Sequence, residues 1–162
     1  MRRLILLHLC LGNFMNLLND GPVSARDICE RRIDATAQAI LSGDFDAFAE
    51  WFGFPYEFET FDVARRIANL QELRESFDRV HRHYVKLGVT QLERRCIEAE
   101  FRDKHTMNST HESRVLRGNE LLLEPYPTFS VSRFIDGRWR VVKSSHAIVD
   151  QPAFVLAVLG DG

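Results

Sequence analysis

Between Thr128 and Val149 the chain reads TFSVSRFIDGRWRVVKSSHAIV, two alternating segments on either side of Asp136-Gly137. An Asp-Gly pair supplies the two positive-φ positions of a tight hairpin turn, so this stretch predicts two antiparallel strands with one half-buried face. Read with a period of two, one face carries Phe129, Val131, Arg133 and Ile135, and beyond the turn Trp139, Val141, Lys143 and Ser145. An apolar sheet face has to be covered, and amphipathic helical segments lie upstream to cover it. The expected class is therefore α+β.

Those upstream segments carry their own start and stop signals. Ser24 stands three residues before Asp27, apolar Cys29, Ile33, Ala37 and Ile40 follow at helical spacing, and Gly43 is placed to end the helix. Asp44 caps a short second helix, DFDAFAEWF, whose Phe45, Phe48, Ala49 and Phe52 form an aromatic stripe suited to core packing. Pro55 is expected to end it. YEFETF then alternates Tyr56, Phe58 and Thr60 against Glu57, Glu59 and Phe61, as a short strand or edge ribbon would. Asn69 and Glu72 open a third helix with the stripe Leu73, Phe77, Val80, Tyr84 and Leu87, and Gly88 can close it.

Gln91 to Lys104 has helical propensity throughout, yet Ile97, Ala99 and Phe101 alternate, and THESRVL beyond it reads as an antiparallel partner. We read a strand here, with a bulge where the apolar phase shifts between Leu92 and Ile97. In the partner strand Met107, Ser109, His111, Ser113 and Val115 share the face expected to look inward. Gly118-Asn119 turns the chain back into LLLEPYPTFSVSRF, where Pro125 and Pro127 predict an edge or a bulge. A last helix is expected from Pro152 to Leu159.

With 162 residues, one domain over residues 24–160 is expected, with residues 1–23 as an extension outside the core. The opening Arg2-Arg3 and LILLHLCL have features of a secretory leader, but the apolar run contains His8, lacks an A-x-A site and is too short to span a bilayer. Met15 is an alternative start. A formal net charge of -2 argues against nucleic acid, and Arg31-Arg32, Arg65-Arg66 and Arg94-Arg95 have acidic neighbours, as solvated mixed-charge faces do. Three separated cysteines without a C-x-x-C pair indicate neither a disulfide framework nor a zinc site, and fit a cytoplasmic protein.

The order helix, helix, short strand, long helix, then about four antiparallel strands, with SGDFDAF at Ser42 to Phe48 and DGRWRVV at Asp136 to Val142, resembles the nuclear transport factor 2-like superfamily and its SnoaL-like branch. The resemblance covers roughly Ser24 to Val149. It implies a curved antiparallel sheet wrapped around the helices into a cone, a pocket at the open end, and often a homodimer through the sheet. The superfamily holds isomerases, cyclases, dehydratases, epoxide hydrolases, dioxygenase small subunits and noncatalytic adaptors, so it selects no chemistry. At the positions where its isomerases carry a tyrosine and two carboxylic groups, this chain offers Thr36, a position near Thr60, and Ser130. The isomerase set is missing, although Glu57 and Glu59 lie close enough to the second position to offer a displaced base.

Candidate site residues follow from the inward faces. His111 is the first, as a proton carrier if its pKa lies near neutrality, though a core or dimer-interface histidine is the commoner role. Arg133 on an apolar face requires a carboxylate or an anionic ligand. Tyr56, Tyr84 and Tyr126 could each turn a hydroxyl toward a ligand while burying the ring. Met107, Val115, Phe129, Val131 and Trp139 complete the expected lining, and Glu57 is a second candidate base. No cofactor or metal is expected, because His81 and His83 diverge on their helix and no phosphate-binding glycine loop occurs. Three readings remain: a pocket for a small apolar molecule, a cofactor-free isomerase, cyclase or dehydratase, and an adaptor subunit.

Overall fold

The structure, a computed structural model, describes residues 22–148. The expected extension up to residue 21 and the closing helix from Pro152 to Leu159 lie outside the described residues. The described residues form three helices, α1 (Ala25–Ser42), α2 (Phe45–Ala49) and α3 (Leu70–Leu87). Seven strands accompany them: β1 (Phe52–Glu59), β2 (Ala64–Ile67), β3 (Gln91–Phe101), β4 (Thr106–Arg117), β5 (Glu120–Leu121), β6 (Tyr126–Ile135) and β7 (Arg138–His146). They form one curved, unclosed sheet in the order β2-β1-β7-β6-β4-β3, with β5 added to β4.

The helix ends obey local chemistry. Ser24 and Asp27 close a reciprocal capping box on α1, and Asn69 accepts from the Glu72 amide at the start of α3. Gly43 ends α1 at φ 76°, and a Cβ there would sit 3.0 Å from the His81 ring, which itself is hydrogen-bonded to the Ile40 carbonyl at 2.7 Å. Glycine at this position therefore lets α3 approach the end of α1. Asp136 and Gly137 both hold positive φ in the β6–β7 turn, as the hairpin reading requires. The bulge in β3 also falls where the apolar phase shifts: pairing with β4 skips Ile97, so Leu92, Arg94 and Cys96 share the concave face with Ala99.

Several expectations are corrected. α2 stops at Ala49, and Pro55 lies inside β1, following a cis peptide bond. β1 is not an edge ribbon; it sits between β2 and β7 and pairs parallel to β7, which makes the sheet mixed. β2 was not anticipated. β6 lies in the middle of the sheet, with Pro127 as its second residue.

The largest correction is the phase of β6. Its buried side is Tyr126, Thr128, Ser130 and Ser132, so Phe129, Val131 and Arg133 point to the convex face, with Phe129 39% exposed. The hairpin does alternate, but its apolar side is the outer one. In β7, a register shift opposite Val131 and Ser132 breaks the expected common face: Trp139 and Val141 point inward, then Ser144 and His146, while Lys143 pairs outward with Glu59 at 3.1 Å.

Candidate functional site

The concave face is built in rows across neighbouring strands. Ser109, Ser130 and Ser144 stand side by side on β4, β6 and β7, and the next row is His111, Thr128 and His146. The Thr128 hydroxyl lies 3.0 Å from His146 Nδ1. All six side chains are polar, and five of them are almost wholly enclosed. A polar row of this kind inside a fold is costly unless it faces water, protein partners or a ligand.

Opposite the row lies a cavity of about 110 Å³. Its other wall is apolar: Phe48 from α2, Phe52 from the start of β1, and Leu73, Phe77 and Val80 from α3. The walls come together because α1 packs on β3 while the aromatic rings of Phe45, Phe48, Phe52 and Phe77 interlock, with centroids 4.6 to 5.5 Å apart. Tyr56, Tyr84 and Tyr126 line it between the two walls.

Two arginines also turn inward. Arg32 is on the buried stripe of α1 with Ile28, Thr36 and Ile40, and is 6% exposed. Arg94 lies on the concave side of β3 between Leu92 and Cys96 and donates to Thr36 Oγ1 at 2.9 Å. The reading of the three arginine pairs as solvated faces is thus corrected for these two members, while Arg31 and Arg95 are exposed.

Burial, with these charges second, sets the titration of the site. Burial first, then Arg94, Arg32 and His146, pushes the His111 imidazole far below its ordinary pKa. His146 is lowered to about 3, by burial and then the same arginines. Both rings are therefore neutral at pH 7, each with one N–H donor and one acceptor nitrogen, and His111 is not poised near neutrality as anticipated. Burial raises all three tyrosines, Tyr56 to about 12, so their hydroxyls stay protonated and able to donate. His111 Nδ1 and His146 Nε2 are enclosed without a hydrogen-bond partner.

Of the candidates, His111, Tyr56, Tyr84 and Tyr126 meet at the cavity. Met107 and Val115 face inward as expected but are fully packed core residues away from it. Trp139 packs with Phe101 and the Met107 cluster. Phe129, Val131 and Arg133 are on the convex face, as is exposed Glu57, so none of these four can reach the cavity. Glu59 also points outward, bonded to Ser145 and Lys143. Arg32, Arg94, Thr128, Ser144 and His146 were missed. The signal for Arg32 was present, since Ile28, Arg32, Thr36 and Ile40 recur at one-turn spacing.

Cys29 and Cys96, distant in sequence, contact each other between α1 and β3, and burial together with Cys29 holds the Cys96 thiol up at about 12. Both are packing residues. Among the described residues no group of three or more His, Cys, Asp or Glu is arranged to hold a metal, and no helix is long and apolar enough to cross a membrane.

No family model and no curated protein matches the sequence. Solved structures do match. A nuclear transport factor 2-like protein of unknown function from Shewanella oneidensis superposes with TM-score 0.61 at 14% identity, over 75% of this chain and 97% of the other. A domain of unknown function with a cystatin-like fold from Nostoc punctiforme gives 0.62 at 17%, over 83% and 85%. A proposed dehydratase of the nuclear transport factor 2-like family from Streptomyces avermitilis gives 0.56 at 12%, over 78% and 96%. The helices of this chain, its curved sheet and the order of its elements are those of the nuclear transport factor 2-like fold.

Proposed function

We propose that this protein binds a small organic molecule in the concave-face cavity, its apolar body against Phe48, Phe77 and Val80 and its polar end toward the group formed by His111, His146, Arg32 and Arg94. The observation carrying this reading is the pair of enclosed, unpartnered ring nitrogens on those histidines beside open volume. A cavity of about 110 Å³ is comparable with the roughly 150 Å³ hollow that admits benzene. The ligand is therefore small.

Saturation-transfer NMR with fragments of about six to ten non-hydrogen atoms should give hits whose shift perturbations centre on Tyr56, His111, Thr128 and His146. Absence of hits, or perturbations confined to the convex face, would overturn the proposal.

Cofactor-free proton transfer, as in a dehydratase, is the second reading. What supports it is placement, with the His111 imidazole and the hydroxyls of Tyr56, Tyr84 and Tyr126 lining one cavity, while the lowered pKa of His111 makes the ring a weak base there. Glu57 has no part in it. Turnover of a bound hit that persists in His111→Gln would remove it.

The convex face supports a further proposal, a homodimer through the sheet. Exposed Phe61 and Phe129 lie there among both signs of charge, Arg133 and Lys143 with Glu57 and Glu112, which suits a self-complementary surface. Light scattering should give a dimer for the wild type and a monomer for Phe129→Arg; a wild-type monomer at high micromolar concentration would exclude it.

A further inference from the structure

We infer that the ligand is a monoanion whose carboxylate sits between Arg32 and Arg94, an inference that rests on the binding reading above and names its ligand class. Arg32 is buried, and its contacts are neutral: Ser109 Oγ at 3.3 Å and Cys29 Sγ at 3.9 Å. Arg94 reaches Thr36 Oγ1. The Nε atoms of both guanidiniums are enclosed without a partner. Among the described residues no carboxylate lies within ion-pair distance of either, and no aspartate or glutamate lines the cavity.

A buried arginine without a counter-ion is expensive, and here a second guanidinium stands near enough to repel it. The rest of the lining relieves neither charge. The imidazoles are neutral and the tyrosines are protonated, so they supply hydrogen bonds but no negative charge. Among the described residues nothing supplies negative charge to these two guanidiniums, and the cavity they line is where an anion would lie.

Size and charge together select a carboxylate. Arg94 is only partly buried, so one full negative charge suffices to offset Arg32. A planar carboxylate fits guanidinium forks, and it is compact. A phosphate ester would fill much of about 110 Å³ and leave the Phe48, Phe77 and Val80 wall without an apolar body to cover it. The inferred class is an aryl or short alkyl monocarboxylate.

Isothermal titration calorimetry on the full chain near pH 7, with benzoate and hexanoate against benzamide and hexanamide, tests this directly. The acids should bind roughly ten- to a hundredfold more tightly than the amides, the range of a charge-assisted hydrogen bond. Arg94→Met, at a partly exposed position, should abolish that preference in a folded protein, and Arg32→Met should do the same. Exposed Arg95→Met should leave it intact. Equal binding of acids and amides overturns the anion inference while the binding reading stands; no binding of either overturns both. Tighter binding of phenyl phosphate than of benzoate, or a crystal structure with one of the chain's own carboxylates closed on Arg32 and Arg94, would also overturn it.

Discussion

Two histidines that are neutral in the folded protein make its stability depend on pH in a direction that can be worked out. His146 falls to about 3 in the fold, against roughly 6.5 in the unfolded chain, and His111 is lowered in the same sense. Between these values the unfolded chain binds more protons than the native one, so stability rises with pH up to about 6.5 and is flat above it as far as these groups decide. Going from pH 6.5 to 4.5, the His146 imidazole should cost about 2 kcal/mol, a large share of a typical 5–15 kcal/mol domain stability, and His111 adds a cost of the same sign. Urea denaturation at the two pH values measures the sum, to which acidic groups such as Glu59 also contribute. Comparing wild type with His146→Gln isolates one ring, because glutamine does not titrate. The variant should lose about 2 kcal/mol less than wild type over that interval. An unchanged pH dependence would show that His146 is protonated in the fold, and the description of the concave face would be wrong.

Three other outcomes follow from the same structure. Gly43→Ala should destabilise by about 1–2 kcal/mol in thermal or urea unfolding, since the residue holds φ 76° and its Cβ would meet the His81 ring. Ser24→Ala should cost about 1 kcal/mol through loss of the α1 capping box. Glu57→Gln should leave fragment affinity unchanged by NMR titration, because that carboxylate faces outward.

Much of the fold was legible because its signals are local. Caps at Ser24 and Asn69, stops at Gly43 and Gly88, the Asp136-Gly137 turn and the β3 bulge each depend on a few neighbouring residues. The parallel pairing of β1 with β7 joins residues almost ninety positions apart, and β2 is a four-residue strand with two arginines; neither leaves a local mark.

The site was harder to read, for a physical reason. Choosing the inward face of β6 by hydrophobicity assumes a dry core, but this strand turns Thr128, Ser130 and Ser132 inward and Phe129 and Val131 outward. That inverted the placement of Phe129, Val131 and Arg133 and hid Thr128. His111 was found because Met107 and Val115, two strand periods to either side of it, are true core residues and fixed the phase of β4. Arg32 and Arg94 were set aside for their charge, although their positions in the helical and strand periods put them inside.

The most direct test of the central claim is a high-resolution crystal structure of the full chain grown with benzoate. Density for the ring against Phe48 and Phe77, with its carboxylate held between Arg32 and Arg94, is the predicted result. A cavity filled by side chains, or benzoate bound only outside it, would contradict the account.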